Sequence, residues 1–151
     1  MEDSGFSNRL KFSDWSNASI PSVSAGVYAI WNKDTLLYCG MSGREIEKAI
    51  ALGKSKYGMV TRLNSHASGR LSGDQFCVYV ANRLVIPLLT QSDLMDFSTG
   101  KLTLDKLTKK YVRDNLDYQY LLVQSSAEAR LMEDKARRGE VFGVKPLLNP
   151  L

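Results

Sequence analysis

The chain of 151 residues lies within the usual size of one domain, and 44% hydrophobic residues supply enough apolar material for one continuous core. Its 20 Lys and Arg against 16 Asp and Glu leave a net charge of +4, which favours a polyanionic partner without demanding one. The longest apolar runs, near 78–80 and 84–89, are interrupted by Asn82 and Arg83 and fall far short of the roughly 20 residues needed to span a bilayer, so no membrane segment is expected.

The N-terminus, MEDSGFSNRLKFSDW, opens acidic and polar, without the basic start or apolar core of a secretory signal, and a cytoplasmic protein is the expectation. Residues 1–25 read as an N-terminal arm, with Trp15 and two Phe to pin it to the folded domain at 26–151. Gly26 to Trp31 and Thr35 to Gly40, joined by Asn32-Lys33-Asp34, predict a tight antiparallel hairpin. Ser42 or Gly43 is placed to cap a helix that starts near Arg44 and ends at Gly53, and a second helix is expected from about Tyr57 to Ala67.

After a Ser/Gly loop at 68–74, Gln75 to Ala81 alternates like a half-buried strand that could pair with the hairpin, giving a central sheet of about three strands. Leu84 to Leu94, broken by Pro87, is ambiguous, whereas Leu102 to Asn115 has helical spacing and Asp117 to Gln124 reads as one more strand. Ser125 or Ser126 caps a helix that Gly139 ends, and an apolar tail docks. The fold class is therefore α+β: a small, mainly antiparallel sheet flanked by helices. Cys39 and Cys77, both on expected strands, read as reduced core thiols, and with one His they cannot close a zinc shell.

Gly26-Val27-Tyr28, nine intervening residues, and Tyr38-Cys39-Gly40 are followed in order by Arg62 and His66 at i and i+4, Glu133 on a capped helix, and Asn149 in KPLLNP. Over roughly 26–149 this arrangement resembles the GIY-YIG nuclease family. Cys39 stands where the family has Ile, and the stretch from Glu133 to Asn149 is longer than usual, with 138–140 as an inserted loop. Asp134 therefore remains an alternative to Glu133, and residues 85–116 have no counterpart in the family pattern.

The resemblance implies a metal-dependent endonuclease acting on DNA, with RNA not excluded and a homodimer as one way to cut both strands. It makes Tyr28, Tyr38, Arg62, His66, Glu133 and Asn149 the catalytic set, expected to meet on one face of the sheet. Glu133 would anchor Mg²⁺ or Mn²⁺, since a hard cation can rest on one carboxylate with waters and substrate phosphate completing its shell. Arg62 would grip the scissile phosphate through both guanidinium N–H edges, which Lys cannot do.

Tyr28 would act as general base for the attacking water, and Tyr38 would position nucleophile and phosphate. A free Tyr titrates near 10, so the base role requires either a pKa lowered by neighbouring cations or a relay through His66. Asn149 is read as a structural and phosphate-orienting amide, or as an ordinary Asn-Pro turn residue. Arg44, Lys54, Lys56 and Arg70 read either as a backbone-tracking surface or as a solvated helix face.

Two other readings compete. Glu133-Asp134-Lys135, with Asp117 upstream, has the E-x-K spacing of another nuclease superfamily, but that motif belongs on a strand. A non-catalytic nucleic-acid-binding module would keep the fold and lose the chemistry.

Overall fold

Val23, Val27, Tyr28, Ile30 and Trp31 put β-branched and aromatic residues on both faces of one segment, which suits a strand covered on each side. In the structure, a computed structural model describing residues 5–17 and 19–150, this segment is β2 (Val23–Asn32), buried along nearly its whole length. It turns through Lys33, with φ of 52°, and Asp34 into β3 (Thr35–Ser42), so the expected hairpin forms and is longer at both ends. A register shift between Ile30 and Trp31 marks a bulge near the turn.

The other long partner of β2 is β5 (Leu116–Val123), antiparallel, with Tyr28 opposite Tyr120; β1 (Leu10–Lys11) extends the sheet beyond it. The path order is β1-β5-β2-β3, and the short β4 (Tyr57–Gly58) runs parallel to the start of β2. Among the described residues the sheet thus has five strands rather than about three, within an α+β fold.

Gln75–Val80 is not among those strands. It forms a helix, α3, because Asp74 caps it through Cys77 N–H and because Phe76, Cys77, Val80 and Ala81 bury one helical stripe. Every residue from Phe76 to Val80 favours strands intrinsically, and the cap and the packing outweigh that preference. Cys77 is accordingly a helix residue. Both cysteines are buried and free.

Three further boundaries differ from expectation. The first helix, α1 (Ile46–Ala51), is capped at Glu45 without a side-chain bond, while Ser42 still belongs to β3. The second, α2 (Met59–Ser68), begins after Gly58, whose φ of 100° and approach to Ser24 leave no space for a Cβ: one there would sit 1.7 Å from Ser24 O. β2 starts at Val23, inside the stretch assigned to the arm. Phe12 is fully buried and packs at a tilt against Tyr118 at 4.7 Å, Trp15 packs edge-on to the same ring, and Phe6 meets Phe142. Residues 1–4 and Ala18 of the arm, and the final Leu151, lie outside the described residues.

The ambiguous stretch after α3 is a wide π-type turn at Ala81–Val85, a 3₁₀ turn holding Pro87, and α4 (Gln91–Ser98). Thr103 then caps α5 (Leu104–Asn115), whose Arg113 donates through Nε to Ala67 O at the end of α2. Part of 85–116 thereby buttresses the helix that carries Arg62 and His66. Last, Ser125 caps α6 (Ser126–Arg137) by accepting from Glu128 N–H.

Tyr28, Ile30 and Leu37 face α2, α3 and α5, whereas Val27, Ala29, Cys39 and Met41 face Ala129 and Ala136 of α6. Helices cover both sides of the sheet. Among the described residues no helix is long and apolar enough to cross a membrane.

Candidate active site at the edge of β3

α2 buries Met59, Leu63, His66 and Ala67, an i, i+4, i+7, i+8 stripe, which sends the His66 ring inward and leaves Arg62 exposed at the rim. Arg62 holds no ion pair among the described residues. α6 buries two small residues, Ala129 and Ala136, so it lies close to the sheet. Glu133, four residues after the first and three before the second, shares their side of the helix, and its side chain is only 16% exposed.

These two helices pack on opposite faces of the sheet, which corrects the expectation that the site would occupy one face. β3 is the outer strand of the path, and the side chains meet around its edge. Tyr28, Tyr38, Arg62, His66, Glu133 and Asn149 all line one open cavity of about 510 Å³, together with Arg44 and Arg137.

Asn149 closes the β3 edge. Its Oδ1 accepts from Cys39 N–H at 2.8 Å and its Nδ2 donates to Cys39 O at 2.9 Å, while Leu147 and Leu148 N–H bond to Leu36 and Leu37 carbonyls. The amide imitates a strand residue, giving it a structural role that a simple Asn-Pro turn would lack. Glu133 lines the cavity and Asp134 does not: Asp134 is exposed and faces a neighbouring depression with Arg138 and Lys145. The E-x-K alternative fails on geometry, because the segment is helical and Glu133 and Lys135 point about 200° apart around the axis.

Of the four basic residues read as a nucleic-acid surface, only Arg44 lines the cavity. Lys54, Lys56 and Arg70 are exposed outside it, with Lys54 over the Tyr57 ring at 5.3 Å.

The Tyr28 hydroxyl lies 2.7 Å from His66 Nε2, and His66 Nδ1 lies 2.7 Å from Asp74 Oδ2. Asp74, at the end of the 68–74 loop, is drawn into the site by the fold. It is 2% exposed; Oδ2 also accepts from the Ser65 hydroxyl at 2.6 Å, and Oδ1 accepts from Cys77 N–H at 3.0 Å. A sequence signal for it existed in Gly73-Asp74 ahead of an apolar run, the pattern of a helix cap.

Burial works on each of these groups. It raises Asp74, but the hydrogen bonds from His66, Ser65 and Cys77, with the His66 charge, outweigh it and hold the carboxyl at about 2. Burial lowers His66 against the opposing pull of Asp74, so the imidazole is neutral at pH 7. Tyr28 is raised well above 10, first by burial and then by Tyr38, with Arg62 pulling the other way. A hydroxyl acidified by nearby cations, one of the two routes to a Tyr base, is not what this environment provides. The relay through His66 is the route the geometry offers. Tyr38, half-buried, is also raised, chiefly by burial and by Glu133.

Tyr28 and Tyr38 stack loosely at 6.3 Å, and Gly40 is directly opposite Tyr28 across the hairpin. A Cβ on Gly40 would sit 2.4 Å from the Tyr28 hydroxyl oxygen, so the glycine makes room for the ring to lie across β3. Gly40→Ala is expected to push the hydroxyl away from His66 and destabilise the fold by about 1–3 kcal/mol. It should lower any Tyr28-dependent catalysis by about 10²-fold, because a displacement near 1 Å is enough for that. Thermal melts beside turnover measurements check both.

Among the described residues no three His, Cys, Asp or Glu side chains gather into a metal cage. The donor set instead fits a hard cation resting on one carboxylate: Glu133 faces open space, and its contact with Arg137, 3.4 Å at i+4, is a loose pair that contributes at most about 1 kcal/mol. Comparisons with known families, curated proteins and solved structures find no match to this chain.

Proposed function

We propose that the chain is a metal-dependent endonuclease of the GIY-YIG type, hydrolysing DNA phosphodiesters in the cytoplasm. The observation that carries this reading is the meeting of Tyr28, Tyr38, Arg62, His66, Glu133 and Asn149, drawn from four separate parts of the chain, around one cavity. Packing alone has no reason to bring an exposed Arg, a partly buried Glu and a hydrogen-bonded Tyr-His pair to one opening.

In this reading Arg62 binds the scissile phosphate, its guanidinium being uncommitted to any ion pair among the described residues. A Mg²⁺ or Mn²⁺ ion held by Glu133 would neutralise charge that develops on the phosphate oxygens. The attacking water gives a proton to the Tyr28 oxygen while Tyr28 passes its own proton to His66 Nε2, 2.7 Å away. This exchange never requires a free tyrosinate, which the burial of Tyr28 disfavours. Tyr38, at the mouth, positions water and phosphate, and Asn149 keeps the β3 edge in place.

The test is cleavage of supercoiled plasmid by purified protein in Mg²⁺, Mn²⁺ and EDTA, with a single-stranded RNA in parallel. Nicking that needs the metal and falls by about 10³-fold in Arg62→Ala supports the reading. Plasmid binding without cleavage under either ion would replace it with a non-catalytic nucleic-acid-binding module. A homodimer would carry two such sites to opposite strands; linear product and a doubled mass on DNA are its signature, and nicking by a monomer removes it.

A further inference from the structure

The donors around Asp74 decide where the proton of His66 must sit. Cys77 N–H reaches Oδ1 at 3.0 Å and has no other polarity to offer. The Ser65 hydroxyl and His66 Nδ1 converge on Oδ2 at 2.6 and 2.7 Å. An ionised carboxylate accepts and never donates, so the contact with His66 exists only if Nδ1 carries the hydrogen. In a neutral imidazole the lone pair is then on Nε2, and the Tyr28 hydroxyl at 2.7 Å must be the donor in that contact. Phe76, 4.6 Å from the imidazole, and Tyr38, at 6.1 Å, wall the ring with apolar surface.

We infer that Asp74 is a positioning residue: it holds His66 in the tautomer protonated on Nδ1, so that Tyr28 points its hydrogen inward and its oxygen lone pairs toward the cavity. Residue 74 belongs to none of the motifs that carry the family resemblance. The catalytic consequence rests on the hydrolytic reading given above, but the tautomer does not. With the other tautomer, Nε2–H would donate to Tyr28, the phenol hydrogen would face the cavity, and no acceptor would remain for the proton that Tyr28 must release. Asp74 acts through His66: it is buried and is not among the residues that line the cavity.

Asp74→Asn separates this role from packing. The side-chain amide keeps the volume, and its oxygen keeps the bond to Cys77 N–H that caps α3. Its NH₂ then faces Nδ1 as a donor and calls for the opposite tautomer. Asp74→Ser is the second variant: a Ser hydroxyl retains the cap but offers Nδ1 no partner.

The experiment reads the two ring nitrogens of His66, the only histidine, by ¹⁵N NMR near neutral pH, beside steady-state plasmid cleavage. Wild type should show hydrogen on Nδ1, Asp74→Asn hydrogen on Nε2, and Asp74→Ser a mixture. In Asp74→Asn, kcat should fall by about 10²–10⁴-fold with KM little changed.

Hydrogen on Nε2 in wild type, or on Nδ1 alone in Asp74→Asn or Asp74→Ser, overturns the inference. So does a kcat in Asp74→Asn within about threefold of wild type once the tautomer has switched. Should Asp74→Asn fail to fold, Asp74→Ser carries the comparison. If wild type cuts no substrate, the hydrolytic reading fails on that result, and the spectra still decide what Asp74 does to His66.

Discussion

Replacing Glu133 by Gln is expected to lower cleavage in Mg²⁺ by about 10³-fold or more while leaving thermal stability within about 1 kcal/mol of wild type. The two expectations come from one geometry. Glu133 is the carboxylate that lines the cavity, its side chain is 16% exposed, and its partner, Arg137, is one helical turn away at 3.4 Å. A loose i, i+4 pair near solvent contributes little to folding. For metal binding, by contrast, Gln keeps the shape and removes the negative charge, and among the described residues no second carboxylate lines the cavity to replace it.

Single-turnover cleavage rates and thermal melts on the same preparation test this. A rate within about tenfold of wild type would sink the assignment of Glu133 to the metal. Asp134→Asn is the matched control: Asp134 is exposed and points into the neighbouring depression, so its loss should change neither quantity.

Asp74→Ala is expected to have the largest effect on stability, about 3–5 kcal/mol from the summed loss of buried hydrogen-bond partners and a helix cap, or a drop in Tm on the order of 10 °C for a chain of this size. Truncation leaves three buried or half-buried donors without their acceptor: His66 Nδ1, the Ser65 hydroxyl and Cys77 N–H. It also removes the cap of α3, a helix of only six residues. A melt showing less than about 1 kcal/mol of change would mean the carboxylate is not held as described.

Asp74 and His66 also contribute a pH dependence to the stability of wild type. Asp74 has its folded pKa lowered from 3.8 to about 2, so its contribution, about 2 kcal/mol, is present above pH 3.8 and lost as the pH falls toward 2. His66 also has its folded pKa lowered from 6.5, because burial disfavours the cation, so its contribution is present above pH 6.5 and declines on acidification below it. Both slopes have the same sign. Urea unfolding across this range should show stability falling below pH 6.5 and again below pH 4, and Asp74→Ala should lose the second step. A stability that rises as the pH drops through 6 would contradict the neutral, buried imidazole.

The elements legible beforehand share strong local signals. The hairpin has aromatic and β-branched residues on both sides of a tight turn, α5 has helical spacing, and α6 has a capping hydroxyl before a run with that spacing. α2 was legible for its 3.6-residue spacing. The six cavity residues were nameable because the resemblance orders them along the chain, not because any local property of Glu133 or Asn149 distinguishes them from other surface residues.

What stayed illegible depends on partners far along the chain. QFCVYV has the composition of a strand and becomes a helix because Asp74 caps it and because β5, arriving some 40 residues later, already occupies the free edge of β2. That competition is non-local, and no window of residues contains it.

Sequence by itself determined the α+β class, the hairpin, the helical spacing of α5 and the capped start of α6, since these follow from composition, period and capping within a few residues of each position, while the six polar groups came from the family resemblance. Tertiary structure alone decided that α2 and α6 lie on opposite faces, and that Arg62 and Glu133 meet around the edge of β3. It also decided that Asn149 seals that edge, and that Asp74 stands behind His66 and Tyr28. The reason is physical: a hydrogen bond about 2.7 Å long between residues 28 and 66 exists only once the chain has closed a loop around a buried core, and its polarity is then set by the low-dielectric surroundings that the core provides.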